Sequence, residues 1–167
     1  MKFYLVDRIE QIEPGKRIVT CKALSLAEEY LADHFPTFPV LPGVLMLEAL
    51  VQSAAWLVRL QQGFAKSIVV LSAARNVRYA SFVQPGNILR CEVDVVSLGP
   101  ELSKFKAAGA VGETQAVTAR LELTSFNLAD RNPRLADADA QIVRQIRRQF
   151  DLVGGPAALA PAQAPGR

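Results

Sequence analysis

The chain is poor in the residues that most often carry metal and redox chemistry. It has one histidine and two cysteines in 167 residues. Cys21 and Cys91 have neither a CxxC spacing nor a histidine neighbour, and no HExxH pattern occurs, so neither a metal site nor a cofactor is expected. Both cysteines are expected as small buried hydrophobes on strands. A strong charge imbalance is also missing. The 19 basic and 16 acidic side chains leave +3, and no basic stripe with interleaved aromatics appears, which argues against nucleic acid. An acidic protein partner remains compatible with that mild charge. No run reaches the roughly 18 uninterrupted apolar residues of a membrane span. The start, Met1-Lys2-Phe3-Tyr4-Leu5-Val6-Asp7-Arg8, lacks the apolar core and cleavage site of a signal peptide. A cytoplasmic protein without a membrane span is the expectation.

What is present is half hydrophobic and about a fifth charged, enough for one domain with a real core. The single histidine, His34, sits in a loop stiffened by Pro36, Pro39 and Pro42, each fixing its own φ and biasing the residue before it away from helix. That loop feeds a segment from Gly43 to about Gln62 whose first charge is Glu48 and whose next is Arg59. The pattern predicts a helix of roughly 30 Å that is apolar on nearly every face and therefore buried all round, stopped by Gly63. Glu48 and Gln52 lie four apart, on one helix face, where they can hydrogen-bond. One base and one acid in apolar surroundings form an acid/base constellation.

Around that helix the chain reads as strands. Residues 4–13 and 16–24 flank a Pro14-Gly15 turn and predict a hairpin. Ser25-Leu26-Ala27-Glu28 has the form of a capping box and predicts a short helix to about Ala32. Further strand character covers 67–74, 76–79, 88–96, 102–111 and 115–124. Turns at Gln84-Pro85-Gly86-Asn87, Gly99-Pro100 and Gly112-Glu113 make the last three an antiparallel meander. Hairpin, buried helix and meander predict an α+β architecture, a curved antiparallel sheet around one helix. Residues 127–135 read as a connector. Residues 136–153 read as an amphipathic helix with Ile142, Val143, Ile146, Phe150 and Val153 on one face, expected against the sheet or a partner subunit. Asp137 and Asp139 near its start suit the helix dipole. The Pro/Ala/Gly-rich stretch from 154 to 167 is expected to be disordered.

The run His34-Phe35-Pro36 through Pro42-Gly43-Val44-Leu45, Glu48-Ala49 and Gln52 resembles the signature of FabZ-type 3-hydroxyacyl-[acyl carrier protein] dehydratases. The likeness extends to Leu5-Val6-Asp7-Arg8, Glu13-Pro14-Gly15-Lys16, Arg78-Tyr79, Pro85-Gly86 and Lys104-Phe105, covering about residues 4–125. It implies a hotdog fold over 1–126 with 127–153 as a helical extension. It also implies a homodimer joined edge to edge, in some members a trimer of dimers, whose active sites take the histidine from one subunit and the carboxylate from the other. The partner it implies is an acyl carrier protein bearing the substrate. The chain departs from the family pattern at Asp33, Phe82, Asn87 and the Ser97-Leu98-Gly99-Pro100-Glu101 turn.

Loss of water from a 3-hydroxyacyl thioester requires a base for the C2 proton and an acid for the C3 hydroxyl. An imidazole and a carboxyl in an apolar wall suit these tasks, here His34 and Glu48. Backbone N–H groups of Gly43 and Val44 at the helix start are expected to hold the thioester oxygen, with Gly43 presenting no Cβ to the substrate. Gln52 is expected to orient Glu48, while Phe35, Tyr79 and Phe82 are candidates for the acyl pocket. Arg75, Arg78, Lys104 and Lys106 are candidate contacts for an acidic carrier, although solvated charge accounts for each singly. Two other readings fit the same residues. One is a thioesterase or a dehydratase specialised for carrier-bound polyene or polyketide chains, and the other a non-catalytic carrier-binding subunit. Retention of both His34 and Glu48 favours dehydration.

Overall fold

A computed structural model describes residues 3–159. Six strands form one antiparallel sheet: β1 (Arg8–Glu13), β2 (Arg17–Ala23), β3 (Ile68–Tyr79), β4 (Ile88–Leu98), β5 (Leu102–Val111) and β6 (Thr114–Phe126). The spatial order is β1-β2-β4-β5-β6-β3. The predicted hairpin and meander are both there, and the strand after the long helix returns to the far side of β6. Gly15 and Gly112, at φ 74° and 57°, make the β1–β2 and β5–β6 turns, where a Cβ would be strained.

Helix α1 (Gly43–Gln61) runs through the concavity and touches β2 through β6. It is long and apolar enough to cross a membrane by length and composition, but 56% of that window is buried inside the fold. Its small residues explain how closely it approaches the sheet. Ser53 Oγ bonds Thr20 Oγ1 of β2 at 2.7 Å and also donates to Ala49 O at 2.7 Å, so a fully buried hydroxyl pair is satisfied. The expectation that α1 is buried all round fails in its first turns. Val44 is 68% exposed, and Leu45, Leu47 and Glu48 are half-buried. A six-stranded sheet covers one side of a helix, and no element among the described residues covers the other side at that end.

Residues 25–32 differ from the capping-box reading. Glu28 makes no cap hydrogen bond, and only a 3₁₀ turn, Glu29–Ala32, forms. Its carboxylate instead meets Lys22 Nζ at 2.7 Å, and Asp7 meets the same ammonium at 3.2 Å. Lys22 is 5% exposed, so a buried charge requiring partners has captured the glutamate. Both cysteines are buried and free, and burial pushes the Cys91 thiol up to about 12, which keeps it unreactive.

The C-terminal extension folds onto the domain. Two 3₁₀ turns lead into α2 (Ala136–Leu152), followed by a helical turn, α3 (Gly155–Ala158). Part of the stretch expected to be disordered is therefore structured, because Gly154 reverses the chain at φ 81° and brings it back along β1; residues 160–167 lie outside the described residues. Phe150 packs its ring 5.5 Å from Trp56 and 5.6 Å from Phe64, and Val143 and Ile146 join the same cluster. The amphipathic face thus seats on the end of α1 and the loop after it. Ile9 N donates to Val153 O at 2.8 Å, and Ile12 bridges Leu159, so the extension also covers the β1 edge. Asp137 and Asp139 both stand in the first turn of α2, as expected, and Asp139 has a further task. Its buried carboxylate accepts from Leu128 N at 2.9 Å, Ala129 N at 2.8 Å and the Ser67 hydroxyl, tying the extension to the start of β3. Burial opposes its charge, but those three hydrogen bonds outweigh it and hold its pKa below the ordinary carboxylate value.

Candidate active site

His34 follows the 3₁₀ turn, its N–H bonded to Tyr30 O and its carbonyl accepting from Val40 N at 3.0 Å. The proline-rich loop thus closes on itself through backbone bonds. The ring is fixed as well, with Nδ1 3.0 Å from Val40 O. A carbonyl can only accept, so Nδ1 carries the proton and Nε2 keeps its lone pair. Phe35 stacks on the imidazole at 4.2 Å between centroids. Asp33 is exposed, caps the 3₁₀ turn through its backbone, and makes no ion pair with His34 among the described residues.

His34 lines a cavity of about 420 Å³ with Val40, Leu41, Gly43, Met46, Tyr79 and Phe82. Gly43 begins α1, where the first N–H groups have no acceptor inside the helix. The glycine has a packing reason beyond substrate approach. A Cβ there would stand 3.1 Å from the Tyr79 ring, so Tyr79 reaches the cavity because position 43 is bare. Phe82 is exposed and meets Phe38 edge-on at 5.5 Å. Of the three aromatic pocket candidates, Tyr79 and Phe82 line this cavity; Phe35 covers the imidazole instead.

Glu48 lies elsewhere. It lines a second cavity, of about 240 Å³, with Phe3, Val51, Gln52, Trp56 and Arg59. Gln52 Nε2 donates to Glu48 Oε1 at 3.0 Å, as their spacing predicted, and also to Phe3 O at 3.0 Å, while Leu5 N donates to Gln52 Oε1 at 3.0 Å. One amide therefore holds both the carboxylate and the N-terminal arm. Within one chain His34 and Glu48 therefore face different cavities. Arg59 and the N-terminal arm were not singled out by sequence reasoning. For Arg59 a signal existed, since it is the sole basic residue of an otherwise apolar helix.

Of the basic candidates, Arg75 and Lys104 both approach Glu122, at 3.5 and 3.7 Å. Lys106, Arg120 and Arg75 are cross-strand neighbours on β5, β6 and β3, so like charges adjoin on that face.

One sheet wrapped around one helix, with a histidine loop at the helix start and a carboxylate farther along it, defines a hotdog-fold protein. The dehydratase heterocomplex ApeI:P from Xenorhabdus doucetiae shares that fold at a TM-score of 0.65 over 80% of this chain and 90% of its own, with 17% identity. The FabA-like domain family matches residues 1–120. The 3-hydroxyacyl-[acyl-carrier-protein] dehydratase FabZ of Clostridium kluyveri is 34% identical over 130 residues, covering 78% of this chain and 88% of the relative. The protein of the same name from Desulforamulus reducens is 39% identical over 119 residues, covering 71% and 84%. This chain belongs to the FabZ 3-hydroxyacyl-[acyl-carrier-protein] dehydratase family.

Proposed function

We infer that this protein is a hydro-lyase that converts 3-hydroxyacyl thioesters on acyl carrier protein to trans-2-enoyl thioesters in fatty acid or related acyl-chain biosynthesis. The observation that carries the residue roles is the tether of His34 Nδ1 to Val40 O, which leaves Nε2 as the lone pair that takes the C2 proton. The resulting enolate oxygen is met by the N–H groups of Gly43 and Val44, reinforced by the positive end of α1. Glu48, oriented by Gln52, gives its proton to the C3 hydroxyl, which departs as water as the C2–C3 double bond forms. The protonated imidazole and the carboxylate then return to their starting states by proton exchange. Tyr79 and Phe82 guide the acyl chain at the mouth of the His34 cavity.

The catalytic unit is a homodimer in which His34 of one subunit meets Glu48 of the other. Support comes from the two separate cavities, from the uncovered first turns of α1, and from β3, the sheet edge left open, where Val70, Leu71 and Tyr79 are exposed. The partner is an acyl carrier protein, and the setting is the cytoplasm. Interconversion of 3-hydroxybutyryl- and crotonyl-carrier thioesters tests the reading. Co-expressing a His34→Ala chain with a Glu48→Gln chain should restore part of the activity that each variant lacks alone, because a mixed dimer holds one intact site. Full activity in either homogeneous variant would refute the assignment.

A further inference from the structure

The cavity that holds Glu48 contains a group for which dehydration has no use. After Glu48, α1 is uncharged until Arg59, and both residues line the same space. Eleven residues separate them, three turns and about 16 Å of helix, so they project from one stripe. The Arg59 guanidinium is held 5.1 Å over the Trp56 ring. Burial alone pulls its pKa down to about 10, with no anion acting against that, so it stays cationic at neutral pH. Its Nε is buried without a hydrogen-bond partner among the described residues. Gln149, brought by α2, adds a second polar group to the same cavity, and α2 lies beyond the residues that match the family.

Arg59 is partly exposed, but its buried Nε–H is unfavourable there unless an acceptor arrives. A plain hydrocarbon chain passing Glu48 would end against this cation and gain nothing from it. A chain ending in a carboxylate would meet a planar fork of donors that matches it in two parallel hydrogen bonds. We propose that Arg59 is a specificity residue that receives the far end of the acyl chain, so that the preferred substrates are medium-chain 3-hydroxyacyl thioesters carrying an ω-carboxylate. The proposal rests on the dehydratase reading for the direction in which the chain enters, with C3 at Glu48 and the far end at Arg59. Gln149 supplies a further amide donor to the same carboxylate, which gives the C-terminal extension a part in recognition.

Two measurements on the full-length protein test it. The first compares kcat/KM for ω-carboxy and methyl-terminated 3-hydroxyacyl-carrier substrates of equal medium length. The unmodified protein should prefer the carboxylate by about tenfold or more, Arg59→Lys should keep part of that preference, and Arg59→Met should abolish or reverse it. The second is titration calorimetry with the corresponding acyl-pantetheine amides, which needs no turnover. Tighter binding of the carboxylated amide that disappears in Arg59→Met supports the proposal even if dehydration of every substrate fails, in which case the dehydratase reading falls and the binding site stands. Equal rates and equal binding for the two chain ends would overturn the proposal and leave dehydration intact. So would an Arg59→Met effect confined to oligomer stability, which would mean that a partner subunit supplies the missing anion.

Discussion

Removing the Phe150 ring is the sharpest test of how the extension is joined to the domain. The side chain is 6% exposed, lies against Trp56 and Phe64, and is pressed by Gly155, whose Cα leaves no room for a Cβ. Phe150→Ala deletes the buried ring and leaves a cavity between α1 and α2. Such substitutions cost about 3–5 kcal/mol. For a domain of this size each kcal/mol lowers Tm by about 2–4 °C, so the expected fall is roughly 6–20 °C. Because Trp56 is the single tryptophan and its ring lies 5.5 Å from that of Phe150, intrinsic fluorescence reads the same event directly. Its emission should shift to the red in the variant before any global unfolding. Gln149 adjoins Phe150 and lines the Glu48 cavity, so medium-chain turnover should drop more than short-chain turnover. A Phe150→Ala protein that melts within about 1 °C of the parent, with unchanged emission, would refute this account of the packing.

Other outcomes follow from the same contacts. His34→Ala and Glu48→Gln should each lower kcat by about 10²–10⁴ with little change in melting, measured on the crotonyl/3-hydroxybutyryl pair. Gln52→Leu should lower activity and also free the N-terminal arm, seen as faster amide exchange at Leu5; protection at Leu5 that persists would contradict the observed bonding. Gly43→Ala should reduce kcat roughly tenfold to a hundredfold by displacing the Tyr79 ring, with Tyr79→Phe alone much milder. For Asp139 the folded carboxyl has the lower pKa. Its stabilisation is therefore fully present above the unfolded value of about 3.9 and is lost as pH falls through the folded value. Asp139→Asn should weaken the attachment at neutral pH and flatten the acid limb of a Tm–pH curve; an unaltered acid limb would count against the clamp.

Much of the fold was legible because its periodicities are strong. The alternation in β4 to β6 and the apolar run after Gly43 each permit one local structure, and Pro14-Gly15 and Gly112 mark the turns. The Glu48–Gln52 hydrogen bond follows from helical spacing alone. Where the local reading failed, a distant group had won. Glu28 was drawn from its capping position by buried Lys22, and Asp139, in the first turn of α2 as expected, also binds Ser67 and two backbone N–H groups that the helix pattern did not announce. Lys22 is only six residues from Glu28, but its burial is set by the sheet, and Ser67 is 72 residues from Asp139, so neither outcome is contained in a local pattern. Residues 155–159 were misjudged for a related reason, since Pro/Ala/Gly composition ignores the β1 edge waiting to be covered. In the site, His34, Gly43, Glu48 and Gln52 stand out by chemical type against an apolar background. Arg59 was visible in the same way but had no meaning until a cavity joined it to Glu48.

The covering of β1 by Val153 and Leu159 makes the two edges of the sheet unequal as places for another strand to add. A sheet with two bare edges can add strands at both and grow without limit. Here one end is partly occupied by the chain itself, at Ile9 and Ile12, while β3 at the other end pairs only with β6 among the described residues. A second copy that joins through β3 satisfies both molecules there at once. The extension outside the family's matched residues thus acts at β1 as an edge guard, occupying backbone groups that another strand would otherwise use.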